Sequence, residues 1–435
     1  MSPAEDGRRE LVVVATLMVA SALVLGGVHA PVRAALAAAL ALLVACEWLP
    51  RCLRGVGPDA WERAWLAPWA VVTMLVVLQL APFGALLGGH LGAHPPLLLE
   101  VEPEVVRRIS PHPLATAQSW ATFTGYWALA FTVARLPRQR ARRLGGVLLA
   151  LAAFEAFYGT HALARGSDRV LNLWPRTAYP DDATGTFVNR NHFAALLALA
   201  WPVGLAWLWP LGSTHRDTMR PLGLAAALTF SLLIGAALVS SHSRAGLVAA
   251  LFGLAVWLAL ERRALRALPV PLVAAVAAAL GGAIWFGSGA WIERALLLPQ
   301  DGERFAVWRA LLDLPSRAWI LGAGLGSFGD VFKTVQPPGI LPSYDHAHNE
   351  WLELLLELGA LGCTAAGLSL AWWWWRARPP AWSRLQRGAS AGLAAVVVHS
   401  CFDFGLRVPG VALSFWALLG ILANPALATG ERDAR

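Results

Sequence analysis

The sequence predicts an all-α, polytopic integral membrane protein with about twelve transmembrane helices and one large external loop. Three observations carry that fold class. Of the 435 residues, 57% are hydrophobic and only 14% charged, against roughly 25% charged in an ordinary soluble domain. The apolar residues gather into runs close to the ~20 residues that a helix needs to cross a bilayer. These runs are apolar on every face, whereas strands of a lipid-spanning barrel alternate in polarity over ~10-residue segments. A soluble enzyme, a disordered chain, a collagen and a disulfide scaffold are excluded by the same composition.

In chain order the runs fall at residues 11–29, 31–49, 65–87, 117–134, 144–164, 192–211, 221–240, 244–260, 267–287, 350–375, 388–405 and 409–427. Arginines orient them, because short loops rich in Arg stay in the cytoplasm. Arg8 and Arg9 precede the first run; Arg51, Arg54 and Arg63 follow the second. Arg135, Arg138, Arg140, Arg142 and Arg143 follow the fourth, and Arg216 and Arg220 the sixth. Arg262, Arg263 and Arg266 follow the eighth, and Arg376, Arg378, Arg384 and Arg387 the tenth. Every second connection is basic, which puts both termini in the cytoplasm.

The net charge of +8 is thus a topology signal and implies no nucleic-acid partner. Lys333 is the only lysine. Arg8, Arg9, the run after them and Val28-His29-Ala30 can also be read as a cleavable signal peptide. An uncleaved first helix is the expectation, and cleavage would leave the later orientation unchanged. Cys46, Cys52, Cys363 and Cys401 lack metal-ligand spacing.

Residues 1–435 read as a single membrane domain. The opposite loops are external, which in a bacterium means the periplasm: 88–116, 165–191 and 288–349. The last, between the ninth and tenth helices, is too long to be a mere connector. It holds an amphipathic stretch, Gly302 to Leu314, and a glycine-rich one, Leu321 to Phe328.

Polar residues at membrane depth are costly and point to function, and four clusters fall on the external side. The first is Gly185 to His192, with Asn189, Arg190 and Asn191; Asn189 or Asn191 can equally be a helix cap. The second is Ser240-Ser241-His242-Ser243-Arg244-Ala245-Gly246, where Arg244 starts a helix either as an interfacial snorkelling side chain or as part of an anion site. In the third, Glu303 to Arg309, Arg304 and Trp308 share a face at i, i+4; the stretch can also lie flat on the membrane. The fourth is Tyr344 to Glu353, holding His346, His348 and Asn349. The two histidines lack further external ligands at zinc spacing, so no metal is expected.

Arginines in an outward cavity bind phosphate oxygens bidentately, and a histidine can take a proton from an attacking hydroxyl at neutral pH. Together they suggest transfer to a hydroxyl with a diphosphate as leaving group, the lipid donor arriving sideways from the bilayer.

These motifs resemble the O-antigen ligase and polymerase superfamily of bacterial envelope proteins, over roughly residues 180–365. The most specific piece is His348-Asn349, nine residues, then Gly359, two residues and Gly362. Ser243 to Gly246, Arg304 with Trp308, and Gly322 to Phe328 are similar to further family landmarks in the same order. The resemblance implies a twelve-helix, metal-independent, cofactor-free, inverting glycosyltransferase of the inner membrane. It would take a glycan from undecaprenyl diphosphate on the periplasmic face, among membrane lipids. Arg244 and Arg304 would hold the diphosphate and His348 would activate the acceptor. His346 matches no family position as firmly. Asn189, Arg190, Asn191, Ser243, Trp308, His346 and Asn349 are secondary candidates.

The His-Asn spacing favours a ligase acting on lipid A-core over a polymerase acting on a second lipid-linked glycan. No C-terminal repeat domain of the kind found in protein-glycosylating relatives is seen. An anion transporter is the reading from another class. It calls for ionisable residues at mid-membrane, of which Glu155 is the clearest, and for a partner of the 288–349 loop in the first half.

Overall fold

The computed structural model describes residues 7–53, 57–82, 108–208, 220–261, 299–338 and 344–428. It is helical apart from one short hairpin among these residues. The helices are α1 (Arg8–Leu23), α2 (Ala30–Leu53), α3 (Ala60–Leu80), α4 (Pro113–Ala134), α5 (Arg138–Ala164), α6 (Arg190–Leu208), α7 (Arg220–Ser240) and α8 (Arg244–Leu260). They continue with α9 (Pro299–Leu311), α10 (Ser316–Leu321), α11 (Phe328–Lys333), α12 (Glu350–Ala377), α13 (Arg384–His399) and α14 (Pro409–Ala423). Strands β1 (Arg169–Val170) and β2 (Trp174–Pro175) pair antiparallel between α5 and α6.

Each predicted apolar run falls on a helix except the ninth, residues 267–287, which lies outside the described residues, as do parts of the 88–116 and 288–349 loops. Among the described residues, five helices are long and apolar enough to cross a membrane: Ala60–Leu80, Arg138–Ala164, Arg190–Leu208, Pro221–Ser240 and Glu350–Ala377. Shorter apolar helices are Ala30–Cys46, Arg244–Leu260 and Pro409–Ala423. The first run stops early, at Leu23, where a 3-10 turn over Leu25–Gly27 carries the chain into α2. The eleventh also stops early: α13 ends at His399, and residues 400–408 form a loop instead of the expected last turn. Pro409 then opens α14, where a missing amide costs nothing.

Helix α6 is the axis of the bundle, with 16 of its 19 residues buried, as expected of a helix apolar on every side. Around it pack α5, α7, α8 and α13. The outward side chains are Leu, Phe and Trp, among them Phe157, Phe252, Leu361, Leu368 and Trp375, while Glu155, His192, Glu357 and Asp403 are buried. Apolar outside and polar inside is the distribution that lipid as solvent selects.

Helix direction alternates, and the contacts at the two ends show it. At one end the Ala183 amide donates to Ser240 O at 2.8 Å, and the Glu350 amide to Ser400 O at 2.9 Å. At the other, Asn424 Nδ2 donates to Val133 O and Leu136 O at 3.0 and 2.9 Å, and Arg387 Nε to Glu261 at 2.6 Å. Helices α9 to α11 build a small lobe over the first end, with its own core of Val307, Leu311, Ala318, Phe328 and Phe332 closed by Leu356 of α12.

Helix α12 is broken inside its apolar run. Gly359 adopts φ +72° and ψ 166°, open to glycine and strained for other residues. Its backbone lies against Gly322 (φ +87°) so closely that a Cβ at either position would strike the other strand's backbone. The carbonyls freed by the break are satisfied from outside the helix. Leu356 O accepts from Ala323 N at 2.8 Å and Glu357 O from Gly324 N at 3.0 Å. Gln79 Nε2 also reaches Glu357 O at 2.8 Å, and its Oε1 accepts from Leu325 N at 3.0 Å. The His-Asn-nine-Gly spacing thus has a structural content: it sets a helix N-cap, Asn349, ten residues ahead of a backbone break at Gly359 that docks the glycine-rich segment.

Candidate active site

The site assembles where α12 begins. Asn349 is its N-cap, the side-chain oxygen accepting from the Leu352 amide at 3.1 Å, a favoured role for Asn. His348 precedes it with φ +51°, a left-handed conformation uncommon outside glycine. Its Nδ1 lies 3.2 Å from Asp403 Oδ1, and its ring meets Phe404 edge-on at 4.9 Å. His346 places Nδ1 2.9 Å from Glu353 Oε1 and stacks on Phe404 at 4.3 Å. Two imidazole–carboxylate pairs therefore flank one phenylalanine.

The carboxylate facing His348 comes from the loop after α13. Asp403 Oδ1 also accepts from the Phe404 amide at 2.9 Å, and His192 Nε2 of α6 stands 3.9 Å from it. His399, the last residue of α13, is fully buried beside this group. Burial alone would raise the Asp403 pKa, but the hydrogen bond from His348 and the imidazoles of His192 and His399 hold it well below the usual carboxylate range.

Arginines reach the same loops. Arg304 Nη1 donates to Phe402 O at 3.1 Å, and Trp308 Nε1, one turn further along α9, donates to Ala347 O at 2.7 Å. The shared face expected of Arg304 and Trp308 is thus turned toward both site loops. Arg190 Nη1 donates to Asp182 Oδ2 at 2.6 Å, and its guanidinium lies over Tyr179 at 5.1 Å. Burial pushes the Tyr179 phenol up, and the charges of Arg190, Asp403, Arg304 and Asp182 act on it in turn. Asp182 Oδ1 pairs with His242 Nδ1 at 2.7 Å.

Arg244 is the exposed first residue of α8. Ser243, its N-cap, accepts from Gly246 N at 3.2 Å and donates to Asn191 Oδ1 at 2.8 Å. Asn189 Oδ1 accepts from the Asn191 amide at 2.8 Å, so its side chain takes the capping role. The structure thus gathers His346, His348, Asn349, Arg304 and Trp308 around residues 400–408. Arg190 is engaged instead by Asp182 and Tyr179, and Ser243 bonds to Asn191, next to His192. Glu155 serves a different end: it accepts from the Thr186 amide at 2.8 Å and contacts the Thr186 hydroxyl at 2.6 Å, anchoring the 183–189 segment to α5.

Sequence reasoning missed Asp403, His399, Phe404, Glu357 and Arg407, and gave Glu353, the last residue of the fourth cluster, no role of its own. A signal for three of them was present, because His399, Asp403 and Glu357 are ionisable residues within runs assigned to the membrane. Glu353 accepts from the Ala347 amide at 3.0 Å as well as pairing with His346. Arg407 Nη2 bridges Glu357 at 2.7 Å and Glu353 at 3.3 Å.

Residues 229–366 match the family described as O-Antigen ligase. The stretch spans α8, the α9 to α11 lobe, His348 and the break in α12, so the resemblance read from the motifs is shown over that segment. The match supports a membrane enzyme of the O-antigen ligase and polymerase type. No curated protein and no solved structure matches the chain.

Proposed function

We propose that this chain, similar to the O-antigen ligase family over residues 229–366, is a glycosyltransferase of the bacterial inner membrane. It moves a glycan from undecaprenyl diphosphate to a hydroxyl of lipid A-core at the periplasmic face, without a metal and with inversion. Twelve spans, cytoplasmic termini and an external 288–349 loop complete the reading. The observation that carries it is the His348–Asp403 pair, 3.2 Å apart, at the meeting point of the 344–353 and 400–408 loops with Arg304.

In this mechanism Asp403 accepts from His348 Nδ1–H, which leaves Nε2 as the free base, the orienting role of a carboxylate behind a catalytic imidazole. His348 Nε2 takes the proton of the acceptor hydroxyl as its oxygen forms a bond to the anomeric carbon. The bond from that carbon to the diphosphate oxygen breaks, and undecaprenyl diphosphate leaves with the electron pair. Attack opposite the leaving group inverts the anomeric centre. Arg304 and Arg244 neutralise the charge gathering on the diphosphate, with Arg190 as a further contact.

The test is transfer by purified protein given undecaprenyl-diphosphate-linked glycan and, separately, lipid A-core or a second portion of donor. A single ligated product with lipid A-core is expected. A ladder built from donor alone would make the enzyme a polymerase, and no product from either would remove the transferase reading. Labelling of single cysteines placed at Lys333 and Gln139 from opposite sides of the membrane is expected; labelling of both from one side would overturn the topology.

Arg244→Ala and Arg304→Ala are each expected to cut transfer at least about tenfold at near-normal protein level, since a charge-assisted hydrogen bond is worth about 1.5–3 kcal/mol. Arg244→Lys should rescue poorly, because an ammonium lacks the planar fork. Full activity in the lysine variant would reduce Arg244 to an interfacial positive charge.

A further inference from the structure

His348 holds its left-handed backbone, φ +51°, only because its neighbours impose it, and the grip is on Ala347. The Ala347 amide donates to Glu353 Oε2 at 3.0 Å, and its carbonyl accepts from Trp308 Nε1 at 2.7 Å. Its side chain is 1% exposed. The other oxygen of Glu353 takes His346 Nδ1 at 2.9 Å. On the far side of His348, the Glu353 amide donates to Asn349 O at 3.0 Å. One residue thus fixes the chain immediately before and after the imidazole, while its carboxylate is buried and tied to Arg407 at 3.3 Å.

We infer that Glu353, held by Arg407, is a positioning residue for His348: its carboxylate, with Trp308, sets the loop conformation that aims the imidazole at Asp403. The inference rests on His348 acting as the base. Glu353 touches no candidate reacting atom, so its effect is on the rate of the chemical step and not on donor binding. Glutamine at this position keeps the shape but has one acceptor for two donors, His346 Nδ1–H and the Ala347 amide. One of them then faces an NH2 group, and the loop relaxes. A displacement of about 1 Å in a reacting group is worth up to about 10²-fold in rate.

The test is a double-mutant cycle with the purified full-length protein and undecaprenyl-diphosphate-linked glycan, reading kcat and KM separately. Glu353→Gln is expected to lower kcat about 10- to 100-fold with KM for the donor little changed. In a His348→Ala background the same change is expected to have no further effect, because a residue acting through another shows full coupling to it. Trp308→Phe, which removes the grip on the Ala347 carbonyl and keeps the ring, is expected to give the same kcat-selective loss and serves if Glu353→Gln does not accumulate. Equal loss from Glu353→Gln with and without His348, or an unchanged kcat in Trp308→Phe, overturns the positioning role while leaving the base in place. Full activity of His348→Ala alone removes the base reading and this inference with it.

Discussion

His348→Ala is expected to lower glycan transfer by about 10²- to 10⁴-fold, the usual worth of a general base, with protein level in the membrane near wild type. The imidazole sits one residue ahead of the α12 N-cap, with its Nδ1 turned to Asp403 at 3.2 Å. Asp403→Asn should follow it part of the way. The amide keeps the volume of the side chain but cannot stabilise the imidazolium that forms when the acceptor gives up its proton. His346→Ala should lose clearly less, since its ring is committed to Glu353 and to stacking on Phe404. Initial rates with saturating donor, normalised to immunoblotted protein, provide the check. Full activity in His348→Ala would end the proposed mechanism, and equal near-total loss in His346→Ala would move the base to the other imidazole–carboxylate pair.

The helices were legible because bilayer-length apolar runs leave little choice of secondary structure, and His348, Arg304 and Trp308 could be singled out because they lie in polar segments between those runs. What could not be read is pairing at a distance. Asp403 is 55 residues from His348 and is flanked by Phe402 and Phe404, so in one dimension it reads as an interruption near the end of a span. The early stop of α13 at His399 is the same fact seen from the backbone: a continued helix would carry Asp403 away from His348. Gly359 within Leu358-Gly359-Ala360 reads as a tolerated helical glycine, and only contact with Gly322 turns it into a break. Glu353 and Glu357 fit a helix start and an exposed face until the fold buries both and brings Arg407 between them.

Arg407→Met is expected to be the most destabilising single change in the site region. Its guanidinium extends from the 3-10 turn Gly405–Arg407 and bridges two carboxylates spaced i, i+4 on α12, Glu353 and Glu357, which are 1% and 0% exposed. Like charges at that spacing repel, and Glu350, a turn earlier, adds a third carboxylate to the field acting on Arg407. Removing the guanidinium leaves the buried Glu353 and Glu357 carboxyl groups without their shared donor, and breaking a buried pair by removing one partner typically costs about 3–5 kcal/mol. Arg407 keeps partial exposure, so water can supply some of the lost compensation and the lower end of that range applies. Thermal unfolding of the detergent-purified protein should show a clear fall in midpoint. Arg407→Met combined with Glu357→Gln should regain part of it, because the second change replaces one of the two carboxyl groups that lost their donor with a neutral amide. Arg407→Lys should fall between, since a single ammonium cannot offer both carboxylates the same planar donors. An unchanged midpoint in Arg407→Met would mean that the two glutamates are not held by this contact. The anchoring of the 346–348 loop through Glu353 would then have to come from Trp308 and the Asn349 cap alone.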